Sequence, residues 1–315
     1  MRRVLTLLLA CASCAMAAAQ AKTDKDLSGL RGAVQTVRTE AAELTPRGGK
    51  SVEERRVPLR AVTYDARGNA VGRVDYNYDG SVAQKLVYTY DAQGRSTGYE
   101  EYTGALAAPR RHVYVADDQG RRVEYRIVQP DGAAGEKYLY KYDAKGNLVE
   151  EALHEHKGAL ISRNTFAYDG EGRQVSQTRY NSDGSVSSTS STSYDAHGRP
   201  VERVRHEGDI LTYRVRYTYD AKGRVVAQET VGSVVEADVS PSEAHAPGRV
   251  VYVYKGKEWP HAALVYAPDG SLRERVEIEY DSRGNWTRKT RLTQPGAASQ
   301  SRRVEYRAIT YFKGE

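Results

Sequence analysis

The sequence predicts an all-β protein, a long antiparallel meander of tandem β-hairpins whose sheet is extended, coiled or rolled. Three observations support this fold class. A Tyr-Asp-x-x-Gly motif recurs with a period of 26 residues, the segments between motifs alternate apolar and polar residues, and 24 tyrosines stand against 2 phenylalanines. Tyrosine buries its ring while its hydroxyl stays hydrated, which suits a thin sheet with one wet side. The composition excludes collagen, coiled-coil and multi-span membrane proteins.

Residues 1–21 have the order of a secretory signal peptide: Arg2 and Arg3, then an apolar run, then small residues. We therefore expect an exported protein, periplasmic or secreted. Both cysteines, Cys11 and Cys14, lie in this segment, so the cleaved chain has none and forms no disulfide. A lipoprotein acylated at Cys11 is the less favoured alternative.

The mature chain, residues 22–315, is predicted to be a single repeat domain with an inserted loop at about 232–248. Removal of the signal peptide leaves 45 basic against 41 acidic residues, a net charge of +4. This charge is too small to indicate a nucleic-acid partner. The apolar run of the signal peptide is too short for a permanent membrane helix, so we predict no transmembrane span in the mature chain.

The repeat places a turn at every motif. The aspartate can accept hydrogen bonds from backbone N–H groups ahead of it, and the glycine can adopt the positive φ that closes a type I hairpin turn. A degenerate copy, in which Ala116 replaces the tyrosine, fills one gap at Gly120. Second glycines lie midway, at 80, 104, 132, 158, 184 and 208. The predicted structural turn residues are Asp65, Gly68, Asp91, Gly94, Asp143, Gly146, Asp169, Gly172, Asp195, Gly198, Asp220, Gly223, Asp281 and Gly284.

Alternation before each turn predicts strands with one buried and one hydrated face. Residues 212–219 show the pattern, because tyrosine and valine occupy every second position and arginine and threonine the others. We expect the aromatic set to be much more buried than the basic set. The aromatic set is Tyr90, Tyr142, Phe166, Tyr168, Tyr217 and Tyr219, and the basic set is Lys137, Lys141, Arg214 and Arg216.

The motif Tyr-x-Tyr-Asp-Ala-x-Gly-Arg at 88–95 and 217–224 closely resembles the YD repeats of bacterial Rhs and related secreted proteins. The resemblance covers about Arg60 to Trp286. It implies a sheet of successive hairpins, which in the large relatives coils into a hollow shell around a toxin, and an association with cell-surface carbohydrate binding. This chain differs in having no recognisable toxin domain or self-cleavage segment after the repeats.

We predict no catalytic residue, no cofactor and no metal. His154 and His156 lie at strand spacing on one face, but a third ligand is missing nearby, so a solvated strand is the favoured interpretation. Each turn aspartate supplies one oxygen, whereas calcium takes six to eight around one point. The serine-threonine run from Ser188 to Ser193 lacks a Gly-x-Ser-x-Gly elbow.

The predicted function is a non-enzymatic binding or scaffold surface for envelope carbohydrate or a protein partner. Trp259 and Trp286 are candidate ligand-facing residues, because indole rings stack on sugars, and the polar strand face carries rows of arginine and lysine. The alternative is a truncated Rhs-like shell component or a partner of a toxin-delivery system.

Overall fold

The computed structural model describes residues 23–48, 50–104, 108–232, 247–293 and 302–313. The predicted signal peptide at 1–21, with Cys11, and residues 233–246 of the predicted loop lie outside the described residues. Within the described ranges the only helix is the short α1, Asp24–Leu27. No helix there is long and apolar enough to cross a membrane.

Twenty-one strands follow in the described part of the chain. They are β1 Val34–Arg47, β2 Lys50–Glu53, β3 Val57–Tyr64, β4 Ala70–Tyr76, β5 Val82–Tyr90, β6 Ser96–Thr103, β7 Arg110–Ala116, β8 Arg122–Val128, β9 Ala134–Tyr142, β10 Leu148–His154, β11 Leu160–Tyr168, β12 Gln174–Asn181, β13 Val186–Tyr194, β14 Pro200–Glu207, β15 Ile210–Tyr219, β16 Val225–Gly232, β17 Gly248–Val253, β18 Ala262–Tyr266, β19 Leu272–Tyr280, β20 Trp286–Thr293 and β21 Arg302–Tyr311.

The sheet closes on itself. From β3 to β21 each strand pairs antiparallel with its neighbours in the chain, as β3 does with β4 and β20 with β21. Strand β1 pairs with both β3 and β21, so that Val37 lies opposite Val62 on one side and Ile309 on the other. Strand β2 extends β1 as a short hairpin. Twenty strands of the described chain therefore form a closed antiparallel barrel, and we call the β1–β21 pairing the seam.

The predicted all-β class is confirmed, whereas the predicted extended or rolled sheet is corrected to a closed barrel. The reason lies in the terminal strands. Closure requires β1 to find β21 across more than 250 residues, and the pairing runs from Val34 opposite Tyr311 to Glu43 opposite Arg303. Neither strand is followed by a Tyr-Asp-x-x-Gly turn, so the motif carries no information about this pairing.

The turns are built as hydrogen-bonded hairpins. At Asp195, Oδ1 accepts from the backbone N–H of His197 and of Arg199, both at 2.9 Å. The glycines of the Tyr-Asp-x-x-Gly motifs have φ between 76° and 92°, a region that side chains disfavour. The midpoint glycines also have positive φ except Gly104, which precedes residues outside the described part.

One face of the barrel wall carries most of the buried side chains. Tyr99, Tyr125, Tyr140 and Tyr213 on this face are only 3 to 5% exposed. We take this tyrosine face as the enclosed one, because closing a sheet crowds the side chains of its concave side. The predicted difference in burial between the aromatic set and the basic set is only partly confirmed. Lys141 and Arg216 are exposed, but Lys137 and Arg214 are as half-buried as the six aromatic residues.

The N-terminal segment, residues 23–33, lies over the seam on the tyrosine face. Leu30 and Val34 pack there with Tyr64 and Ala70 in a buried cluster. Thr23 caps α1, since its hydroxyl accepts from the N–H of Asp26. Burial of this cluster joins the first and last strands of the barrel at one end.

Candidate functional site

All turns of one kind lie at one end of the barrel. In an antiparallel meander, consecutive turns alternate between the two ends of the sheet. The Tyr-Asp-x-x-Gly turns, from Asp65–Asn69 to Asp281–Asn285, therefore share one end, which we call the turn rim. The midpoint turns, such as Asn181–Ser185, share the other.

A tyrosine hydroxyl links most turns of the rim to the next. In six of the seven pairs the hydroxyl donates to the carbonyl two residues after the glycine of the preceding turn, at 2.6 to 2.9 Å, and thereby joins neighbouring repeats. In the seventh, Tyr280 donates to the Pro260 carbonyl, four residues after Gly256, at 2.7 Å. The pairs are Tyr90 to Ala70, Tyr142 to Arg122, Tyr168 to Leu148, Tyr194 to Gln174, Tyr219 to Pro200, Tyr254 to Val225 and Tyr280 to Pro260.

An arginine covers this link in four places, and we call it the arginine cap. The residue after the turn glycine is an arginine that binds its own turn aspartate and lies over the next tyrosine ring. The guanidinium-to-ring distances are 4.9 Å for Arg121 on Tyr142, 4.9 Å for Arg173 on Tyr194, 4.5 Å for Arg199 on Tyr219 and 4.1 Å for Arg224 on Tyr254. The hydrogen bond from Arg199 lowers the pKa of Asp195 to about 2.

Two departures from this arrangement, at Ala116 and Asn147, each lie beside a groove. Ala116 replaces the tyrosine that would lie under Arg95, beside a groove of about 250 Å³. Asn147 replaces the capping arginine, beside a groove of about 420 Å³. The smaller groove is lined by Asp91, Arg95, Ser96, Thr97, Tyr114, Val115, Ala116, Gly120 and Arg122. The larger is lined by Asp143, Ala144, Lys145, Asn147, Val149, Phe166, Ala167, Tyr168 and Asp169.

Two other turns carry asparagine at the capping position, and the N-terminal segment covers both. Asn285 Oδ1 accepts from the N–H of Arg31 at 2.8 Å, and its Nδ2 donates to the Arg31 carbonyl at 2.9 Å. At Asn69, the carboxylate of Asp24 accepts from the N–H of Ala70 at 2.9 Å. Asn69 and Asn285 are 9% and 2% exposed, whereas Asn147 is half-buried.

A buried polar network lies on the tyrosine face, where the ring of Tyr125 contacts Tyr114 of the smaller groove. His112 Nδ1 is 2.6 Å from the Tyr125 hydroxyl, and Nε2 is 3.0 Å from Oε2 of Glu101. Because an ionised carboxylate can only accept, Nε2 donates to Glu101. Arg110 and Gln84 also donate to this carboxylate, at 3.0 and 2.5 Å. The hydrogen bond from His112 is the main reason that the pKa of Glu101 is lowered.

Sequence reasoning missed this network. The histidines are scattered along the chain, and attention fell on His154 and His156 because of their spacing. His154 Nδ1 contacts the Gly158 carbonyl at 3.0 Å and His156 is exposed. His112 could have been found from strand register, because it lies two residues before Tyr114 and so shares the tyrosine face. In the described part of the chain no three His, Cys, Asp or Glu side chains come together as metal ligands.

Both predicted ligand-facing tryptophans are half-buried against other side chains. Trp259 packs on the turn at Gly284, with Arg31 over its ring at 4.9 Å. Trp286 lies on β20 under the guanidinium of Arg307 at 3.9 Å, with the Lys289 ammonium at 4.4 Å. The structure thus places the two indoles near the seam rather than at the grooves.

Part of the chain matches a protein-family model. A family model described only as an uncharacterised protein matches residues 61–192, less than half of the chain. No curated protein matches the sequence.

Three solved structures are similar at low identity. A mutant Tc holotoxin pore of Photorhabdus luminescens matches at 13% identity and a TM-score of 0.32, over 85% of this chain and 18% of that one. A porin-like protein from Bacteroides uniformis matches at 15% and 0.39, over 88% and 96% of the two chains. A DUF1329 family protein from Desulfovibrio piger matches at 12% and 0.22, over 90% and 88%. This chain thus spans under a fifth of the holotoxin chain.

Proposed function

We propose that the protein is a non-enzymatic, exported β-barrel whose turn rim binds a partner in the bacterial envelope. The observation that carries the proposal is the docking of residues 23–33 on this rim. Turn groups generated by the repeat there hold a carboxylate, through the N–H of Ala70, and a peptide backbone, through Asn285. The two grooves offer similar turn groups elsewhere on the same rim.

A non-enzymatic role is favoured by the state of the titratable cluster. Glu101, His112 and Tyr125 are 4%, 3% and 3% exposed, and the ring of Tyr99 stacks on His112 at 4.0 Å. The polar atoms of the cluster bind one another, so the network has the character of a satisfied core element. Export is favoured by the signal-peptide pattern at 1–21.

A protein partner is favoured over a glycan. Peptide already docks on the rim, whereas both tryptophans suited to sugar stacking have cationic side chains over their rings. Envelope carbohydrate is the other ligand class that the sequence suggests, and the experiment below distinguishes it from a protein partner.

Sedimentation of the labelled protein with washed bacterial envelopes tests the proposal. We expect saturable binding that falls at least about tenfold in the double variant Ala116→Tyr/Asn147→Arg, which restores the repeat pattern at both grooves. Thr189→Arg, on the outer face of β13, is the charge-matched control. Binding lost after protease treatment of the envelopes identifies a protein partner, and binding that survives it identifies carbohydrate. Equal binding by the double variant would remove the rim as the binding surface.

A further inference from the structure

The groove at Asn147 has the same construction as the place where Asp24 docks. Asn69 and Asn147 occupy the same position in their turns, as do Ala70 and Leu148. Each asparagine donates its side-chain amide to its turn aspartate, Asp65 or Asp143, at 3.1 and 2.9 Å. The two sites therefore present one scaffold three repeats apart.

At the first site three groups of the chain hold the incoming segment. The Asp24 carboxylate lies 2.9 Å from the N–H of Ala70 and 2.8 Å from the hydroxyl of Tyr90. The N–H of Lys25 donates to the carbonyl of Gly68 at 3.0 Å. Burial, and then the hydrogen bond with Asp24, raise the pKa of Tyr90, so its hydroxyl stays protonated, and its one proton is shared between the Asp24 carboxylate and the Ala70 carbonyl.

The same groups are present at the second site. Leu148 supplies the N–H, Tyr168 the hydroxyl and Gly146 the carbonyl. The Tyr168 hydroxyl contacts the Leu148 carbonyl at 2.7 Å, just as the Tyr90 hydroxyl contacts the Ala70 carbonyl at 2.6 Å. The groove of about 420 Å³ lies beside these groups: Tyr168 lines it, together with Asn147 and Val149, the neighbours of Leu148 in the chain.

The charges at the groove suit an anion. Asp143 is occupied by its own turn, since it accepts from the backbone of Lys145 and Asn147. Asp169 is paired with Arg173 at 2.6 Å. The ammonium of Lys145, an exposed residue, remains at the edge of the groove.

We infer that the groove at Asn147 binds an aspartate- or glutamate-bearing segment of a partner protein, held as Asp24 is held at Asn69. The carboxylate accepts from the N–H of Leu148 and shares the single proton of the Tyr168 hydroxyl with the Leu148 carbonyl, and the next backbone N–H donates to the carbonyl of Gly146. This inference rests on the proposed function and gives its partner a chemistry. Phe166, at the position of Tyr88, provides the apolar side of the groove.

The probe is a fluorescein-labelled peptide of residues 23–34, titrated with the purified protein and followed by fluorescence anisotropy. We expect one bound peptide per chain. Asn147→Arg, which installs the arginine cap, should weaken binding at least about tenfold, and Asp24→Asn in the peptide should do the same. Thr189→Arg should bind like the wild type. Undiminished binding to Asn147→Arg would overturn the inference, because it would place the peptide elsewhere.

Two variants that remove an arginine cap test the inference by a gain of peptide binding rather than by a loss. Arg173→Asn removes the cap over Tyr194 and exposes the N–H of Gln174, so we expect a second bound peptide. Arg199→Asn removes the next cap, but Pro200 at the equivalent position has no N–H, so the stoichiometry should stay at one. A second site in neither variant, or in both, would contradict the assigned contacts.

The envelope experiment separates the two proposals. Envelope binding that is lost in the double variant, together with no binding of the peptide, would reject the acidic segment and keep the rim as the binding surface. If the double variant still binds envelopes and Asn147→Arg still binds the peptide, both proposals are rejected. Circular dichroism melting of every variant ensures that lost binding reflects the groove and not an unfolded barrel.

Discussion

Two stretches of the barrel are built from the same repeat and differ in how regular it is. The capped stretch, Asp169 to Tyr254, has an arginine over each linking tyrosine. The interrupted stretch, Asp91 to Tyr168, has Ala116 and Asn147 at two of these positions and contains both grooves. The comparison indicates that the regular repeat stabilises the wall, whereas departures from it create room for a ligand.

The largest expected change in the free energy of unfolding is at Gly98, in the interrupted stretch. This glycine has φ 144°, and an added Cβ would overlap the carbonyl oxygen of His112 on β7. We expect Gly98→Ala to lower the free energy of unfolding by about 3 kcal/mol. Gly198→Ala, in the capped stretch, has φ 76° and meets only the end of Arg173, so its loss should be about 1 kcal/mol. Equal urea midpoints would show that β6 and β7 do not approach this closely.

The next effect concerns Glu101. Its pKa is lowered in the folded state, so its contribution to stability is full above about pH 4.5 and is lost as the pH falls through the lowered pKa. Glu101→Gln should cost about 2 kcal/mol at pH 7 and flatten the loss of stability below pH 4.5. Urea unfolding between pH 3 and 7 measures both. An unchanged acid profile would mean that Glu101 does not carry this dependence.

A smaller gain is expected from repairing the repeat at Ala116. Ala116→Tyr supplies a ring under Arg95 and a hydroxyl for the Ser96 carbonyl, as in the neighbouring repeats. We expect the free energy of unfolding to rise by about 1 kcal/mol. Ala116→Phe, which lacks the hydroxyl, should gain less. A loss of stability in both variants would mean that the groove of about 250 Å³ cannot accept the ring.

The smallest effect is the removal of one cap. Arg173→Ala takes away the guanidinium over Tyr194 and its pairing with Asp169. The loss should be smaller than the gain at Ala116, because this pair is close to solvent and screened by salt. Thermal melting at low and high salt measures it, and a change that did not shrink with salt would contradict an electrostatic cap.

Much of the barrel wall could be predicted from the sequence, because the same turn motif and strand alternation recur along the chain. The spacing of Gly146, Gly172 and Gly198 fixes where strands reverse, and period two fixes which residues share a face. The closure could not be predicted, since Val37 and Ile309 belong to strands without a motif and meet only in three dimensions.

The candidate grooves lie where residues depart from the repeat, at Ala116 and Asn147, and not where the repeat is regular. Ala116 is visible in the sequence as a missing tyrosine, but its groove also depends on Arg95 in the preceding turn of the rim. Asn147 looks like Asn69 and Asn285, and only the fold shows that residues 23–33 cover those two and leave the third. The network at His112 needed the register of β6, β7 and β8 before its partners could be named.

The pairing of β1 with β21 at the seam also determines when the barrel can close during synthesis. Ribosomes make the chain from the N terminus, and Val34 cannot meet Tyr311 until synthesis is nearly finished. Until then the growing sheet has two unpaired edges, at β1 and at the newest strand, and such edges recruit other chains. A truncated product that stops before β21 keeps both edges permanently. Premature stop codons late in the gene should therefore yield aggregates rather than a slightly shorter barrel.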